Sequence, residues 1–268
     1  MTVMTRPPQS RFVSYAQNFE DVLLHRALGH IDRGYYVDVG AHDPLVGSVT
    51  KSFYDRGWSG INVEPGPRFE ALAAARGRDR NLRCAIGPAG MLTLHEIAAG
   101  LSTLDPEIAA SHRAAGHAVV TRSVEVVPLD EVLGAAQPAE IHFLKVDVEG
   151  GEEQVLRTID LTCWRAWIVI VEATAPLTDR PTHHGWEPLL LSANYRHVWF
   201  DGLNRWYVAA ERHHELARHF DRPPNFLDHF VTHREHLLHE ALQRVHSIAA
   251  DSSLSRFKLP GFEAYPSP

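Results

Sequence analysis

Cysteine is scarce, with only Cys84 and Cys163 among 268 residues. Two thiols so far apart build neither a disulfide framework nor a zinc site. Both lie in apolar stretches and read as small core residues. A cationic surplus is also missing, since 26 Lys and Arg stand against 33 Asp and Glu, a formal net charge of −7. Such a chain lacks the positive field that captures nucleic acid, and no nucleic-acid partner is expected. No apolar run reaches the ~18 residues that span a bilayer, so no transmembrane segment is expected. Residues 1–12 carry no apolar signal-peptide core, and a cytoplasmic location is the expectation.

What the chain does have is alternation. Phe19, Val22, Leu23 and Ala27 predict a helix over Tyr15–Leu28, with Ser14 or Asn18 as its cap. Strands are expected at Tyr35–Val39, Gly60–Glu64 and Leu82–Ile86, separated by helices at Val46–Arg56 and Arg68–Ala75. Strand–helix alternation of this kind builds a parallel sheet covered on both faces. Residues 88–128 break the rhythm and read as an inserted specificity region, with short strands at Leu92–Ile97 and Val124–Val127. The alternation then resumes with strands at Ile141–Val146 and Trp167–Glu172 and helices at Glu152–Ile159 and Trp186–Ser192. Tyr195–Phe200 and Arg205–Ala209 are joined by Asp201-Gly202-Leu203-Asn204, too short for a parallel crossover, so they form an antiparallel hairpin. The fold class is therefore α/β, a doubly wound Rossmann-like sheet. It is parallel except for one strand in the C-terminal hairpin, with helical additions at both ends. The expected divisions are a loose leader over 1–13, a main domain over 14–210, a helical extension over 211–250 and a tail over 251–268.

Three strand ends carry the chemistry. Val37-Asp38-Val39-Gly40-Ala41-His42 runs from a strand into a glycine turn, at the sheet edge where open α/β folds bind ligands. Gly40 lets backbone approach a ligand, and Asp38 can pair with a cationic group. It is a poor dinucleotide fingerprint, because His42 and Leu45 stand where G-x-G-x-x-G needs glycines. Glu64 ends the next strand and can accept from both hydroxyls of a ribose. Phe143-Leu144-Lys145-Val146-Asp147-Val148-Glu149-Gly150 brings Lys145, Asp147 and Glu149 to one side of an otherwise apolar strand. Charges placed there are costly unless paired or functional.

These blocks, with Ser14–Asp21 ahead of them, resemble the FkbM family of methyltransferases. Shorter matches lie at Gly100–Leu104, Pro128–Asp130, Val171–Ala173 and Asp201–Arg205, so the resemblance covers about residues 14–210. It implies a class I methyltransferase fold, S-adenosyl-L-methionine as cofactor and a hydroxyl of a saccharide, glycolipid or related natural product as acceptor. By the same resemblance Asp38, Gly40, His42 and Glu64 would hold the cofactor, with Gln17, Asp21 and Ser102 near it. Lys145, Asp147, Glu149 and Glu172 would line the reaction chamber. Many relatives continue the first motif with a second glycine where this chain has Pro44. A nicotinamide-dependent oxidoreductase and a non-catalytic scaffold are the competing readings.

An alkyl hydroxyl is a weak nucleophile that benefits from a base or a metal. Asp147 is the expected base, with Lys145, Glu149 and His183 as further candidates. Asp147 and Glu172 end consecutive strands and can share Mg2+, unless Lys145 or an arginine pairs with them. Trp186 is the expected platform for a sugar ring. His229, His233 and His236 are expected on one face of the C-terminal helix, as a solvated surface rather than a metal site.

Overall fold

The computed structural model describes residues 11–97 and 102–251. The leader expected over 1–13 lies outside them up to residue 10. The tail lies outside from residue 252, as do Gly100 and Leu101 of the Gly100–Leu104 block. In chain order the elements are β1 (Phe12–Ser14), α1 (Glu20–Leu28), β2 (Tyr35–Val39), α2 (Lys51–Asp55), β3 (Ser59–Val63), α3 (Phe69–Ala75), β4 (Arg80–Leu82), β5 (Ala85–Ile86) and β6 (Gly90–Ile97). There follow α4 (Pro106–Ala114), β7 (Val119–Val127), α5 (Leu129–Ala136), β8 (Ile141–Val146), α6 (Glu152–Leu156), β9 (Ala166–Glu172) and α7 (Glu187–Ser192). The last are β10 (Tyr195–Phe200), β11 (Asn204–Ala209), α8 (His213–Leu216), β12 (Phe230–Thr232) and α9 (His233–Asp251).

The chain divides into two units, residues 15–228 and the two ends outside them, so residues 211–228 group with the larger unit. The large unit holds a seven-stranded sheet in the order β10-β11-β9-β8-β2-β3-β4. The pairs β9–β8, β8–β2, β2–β3 and β3–β4 are parallel, and β11 runs antiparallel to both β9 and β10. Its central strands are apolar on both faces. Every residue of β8 is buried, and so is every residue of β9 except Trp167, which is half-buried. That is the pattern of a sheet sandwiched between layers. One face packs Leu129, Leu133, Val155, Trp186 and Leu190 against Val37, Leu144 and Val169. The other packs Leu23, Leu24, Phe53, Trp58 and Phe220 against Tyr36, Phe143 and Ile168. Each such fully buried aliphatic or aromatic side chain contributes about 1.5–3 kcal/mol.

Several local expectations are corrected. The first helix starts at Glu20, with Phe19 in the left-handed region (φ 61°) and no side-chain cap, so neither Ser14 nor Asn18 caps it. The helix expected over 46–56 shrinks to Lys51–Asp55, because Asp43 Oδ1 folds Leu45 and Val46 into a turn by accepting both amides at 2.9 Å. The strand expected over 82–86 splits, β4 staying in the large sheet while β5 joins a three-stranded sheet β5-β7-β6. Within that second sheet, β6 and β7 pair antiparallel at eight positions, longer than the two short strands expected. Cys163 is exposed, not core, and its Sγ donates to Asp160 Oδ2 at 3.2 Å in a turn.

The small unit pairs β1 with β12 in parallel and continues into α9. A capping box starts that helix: Glu235 N–H donates to Thr232 Oγ1 at 3.2 Å, and Thr232 N–H donates to Glu235 Oε2 at 2.8 Å. The helix therefore begins at His233. His229 lies before β12 with φ 52°, so the three-histidine face expected there does not form. No helix among the described residues is long and apolar enough to cross a membrane.

Candidate active site

The parallel pairing of β2, β3 and β8 brings their carboxyl ends side by side. Backbone bonds lock the ends together: Gly40 and Ala41 N–H both donate to the Val63 carbonyl at 3.0 Å, and Asp147 N–H donates to Val39 at 3.0 Å. Strand order reverses between β2 and β8, the place where an open α/β sheet leaves a crevice. A cavity of about 1020 Å³ opens there, and Gln17, Glu20, Asp38, Gly40, His42, Glu64, Ser102, Lys145, Asp147 and Glu149 all line it.

Asp38 sits opposite Lys145 in the β2–β8 register. The Lys145 ammonium lies 3.7 Å from Asp38 Oδ1 and donates to Asp147 Oδ2 at 3.0 Å. Burial pulls the ammonium down, but Asp147 and Asp38 together outweigh it and hold Lys145 above the ordinary lysine value. Burial pushes the Asp38 carboxyl up, against the pull of Lys145 and Arg76. Asp38 Oδ1 accepts no hydrogen bond, so a buried acceptor on the cavity wall is open to an incoming donor.

Glu64 is buried, and its oxygens accept the His42 amide at 2.9 Å and the Gly66 amide at 2.6 Å. Burial holds its carboxyl above the ordinary value. A carboxylate offers about four acceptor positions, so two remain for a diol. His42 adopts φ 49°, a conformation its bond to Glu64 helps to hold. Gly40 has φ +87°, and a Cβ there would overlap the Asp147 carbonyl oxygen. Its glycine is therefore required by the close approach of the β8 end as well as by access to a ligand. Pro44, which replaces the second glycine of the motif, turns its carbonyl toward Arg76 Nη2 at 2.9 Å.

Asp147 and Glu149 extend from β8, and Glu172 ends β9 beside it. The three each offer an oxygen, and these oxygens lie within 4.8 Å of one another, close enough for one cation. Burial first, then repulsion from Asp147, pushes Glu149 up to about 8 and Glu172 up to about 11. Glu172 is not among the residues lining the cavity, and its carboxylate meets those of Asp147 and Glu149 from outside that lining.

Not every expected residue arrives at the site. Asp21 is fully buried and folds back to accept the amides of Tyr15 and Ala16, at 2.7 and 3.3 Å. Trp186 is 2 % exposed and packs edge-on against Tyr207 in the core, so no sugar can stack on it. His183 also lies outside the cavity lining, with its ring 4.1 Å from that of His184 and Nε2 3.9 Å from Glu187. Glu20, outside the set of residues expected at the site, does line the cavity. It accepts Asn204 Nδ2 at 3.1 Å and the Asn18 amide at 3.0 Å, and burial pushes it up to about 7. The signal was present: Glu20 shares the helical stripe of Leu23, Leu24 and Ala27, where an acid is out of place.

Against known proteins, a family model described as the methyltransferase FkbM domain matches residues 38–197. Among solved structures, a TehB-like SAM-dependent methyltransferase from Corynebacterium glutamicum is similar at 8% identity and a TM-score of 0.39, over 70% of this chain and 87% of that one. No curated protein matches.

Proposed function

The chain belongs to the FkbM methyltransferase family, a match that covers more than half its length, and on that premise we propose that it moves a methyl group from S-adenosylmethionine to a hydroxyl oxygen of a saccharide, glycolipid or related natural product. The observation that carries this reading is the convergence of Asp38, Glu64 and Asp147 on one cavity. At about 1020 Å³ it sits at the top of the range of roughly 300–1,000 Å³ that houses one small ligand, which suits a cofactor and an acceptor bound together.

The residues present fit the cofactor. Oδ1 of Asp38, which accepts no hydrogen bond, suits its α-ammonium, and the free acceptor positions of Glu64 suit its ribose diol. Bound there, the cofactor supplies a methyl group already activated on a sulfonium. The protein has to align an acceptor oxygen behind that carbon and remove one proton. Asp147 is the proposed proton acceptor. Asp147 would take the hydroxyl proton of an acceptor held over it as that oxygen gains the methyl group. Lys145, at 3.0 Å, keeps that carboxylate in place.

The test incubates the protein with S-adenosylmethionine and a panel of glycans and glycolipids, with the gain of one methyl group followed by mass. Asp147→Asn is expected to lower kcat by about 10²–10⁴-fold while S-adenosylhomocysteine still binds. Methyl transfer confined to nitrogen or carbon acceptors, or a near-normal kcat in Asp147→Asn, contradicts the proposal.

A further inference from the structure

We infer that Asp147, Glu149 and Glu172 form a site for a hard divalent cation, of the Mg2+ or Mn2+ class, at the wall of the cavity. The three carboxylates come from the ends of two adjacent parallel strands, β8 and β9, and each points an oxygen to within 4.8 Å of the other two. That is the spacing of oxygen ligands around one ion, and hard cations take carboxylates in this way. An acidic cluster alone would not distinguish a cation site from a solvated surface. Glu172 makes the difference. It is 94 % buried (6 % exposed), yet its Oε2 accepts no hydrogen bond, and Glu149 Oε2 is likewise buried without a partner. A buried carboxylate oxygen left unpaired is expensive, and an ion held between these groups would remove that cost.

Local cations do not fill the role. Lys145 bonds one oxygen of Asp147 and spends the rest of its charge on Asp38. Among the described residues no arginine or histidine pairs with Asp147, Glu149 or Glu172. The backbone is bent to the task as well. Glu149 adopts φ 57°, and its carbonyl accepts Thr103 Oγ1 at 2.7 Å, fixing the turn that brings its side chain back beside Asp147. Asp147 and Glu149 also line the cavity while Glu172 does not, so an ion here would have two ligands on the cavity wall and one behind it, and would be reachable from the cavity. With Lys145 on one oxygen and the ion on the other, Asp147 would take an acceptor's proton only while the ion is absent; what a bound ion does for the acceptor rests on the methyl-transfer reading, and its binding does not.

Titration calorimetry of the full chain with MnCl2, then MgCl2, tests this without turnover. Saturable binding of one ion is expected. Glu172→Gln should weaken it by roughly tenfold or more, because one of three anionic ligands is lost. S-adenosylhomocysteine should bind that variant as it binds the parent, since Glu172 is outside the cavity lining. Without metal, Glu172→Gln should melt at or above the temperature of the parent, but the upward shift in melting on adding Mn2+ should be lost. No saturable binding at millimolar metal, or binding that Glu172→Gln leaves unchanged, overturns the inference. Intact S-adenosylhomocysteine binding in the same experiment would leave the methyltransferase reading standing.

Discussion

A methyl group at Gly40 would occupy the space of the Asp147 carbonyl oxygen, in a backbone with φ +87° that disfavours any side chain. Gly40→Ala is expected to cost on the order of 3 kcal/mol, from strain and overpacking together, read as a lower midpoint in urea. An unchanged midpoint would mean that the β2 turn and the β8 end are not held together as described. Glu20 offers a pH test. Its carboxyl is raised from 4.5 to about 7, chiefly by burial. An acid raised on folding favours the folded state most below its unfolded value, and that advantage is lost as pH climbs from 4.5 through 7. Glu20→Gln removes this dependence, so the variant should gain on the parent across that window, with a ceiling of about 3 kcal/mol. Parallel melting curves for the two proteins from pH 4.5 to 7.5 would contradict the assignment. At this scale the sequence was legible where a strand aims its own side chains, as for Asp38, Glu64 and Asp147. It misled at residues 20 and 21, because with the helix starting at Glu20 the Asp21 side chain turns back onto the Tyr15 and Ala16 amides.

Elements are held to the sheet by a few polar clamps. Arg26 on α1 donates to both oxygens of Asp228, at 2.8 and 2.7 Å, and to the carbonyls of His219, Arg222 and Pro223. The two side chains expose only 8 % of their surface, though the bonds from Arg26 to the Arg222 and Pro223 carbonyls lie at the surface. Arg26→Met leaves Asp228 with only the Asn225 amide bonded to it and should cost about 1–3 kcal/mol. Limited proteolysis should then cut residues 217–228 before the rest of the large unit; a cleavage pattern like that of the parent would show that the clamp does not hold this segment. The strands of the large sheet were readable because each is a short β-rich run bounded by turn residues, and the Asp201–Asn204 link allowed only a hairpin. Helix α5 carries no start signal in the sequence: its eight residues LDEVLGAA include a glycine and follow Pro128 with no side-chain cap. The β6–β7 pair was read short because most of its residues are exposed, which hides the alternation that marks a half-buried strand.

Across the whole molecule, every residue lining the cavity falls between Tyr15 and Gln154, inside the unit that spans residues 15–228. That unit also contains both faces of the large sheet, with its apolar clusters, and the clamp between Arg26 and Asp228. The two ends of the chain pair with each other through β1 and β12, so removing both leaves no single strand of that pair behind. A protein limited to residues 15–228 is therefore expected to unfold cooperatively and to bind S-adenosylhomocysteine with the affinity of the full chain. Calorimetric titration beside a thermal melt measures both. Loss of cofactor binding with the melt preserved would show that the ends of the chain help to build the site, and the cavity could no longer be assigned to the large unit alone.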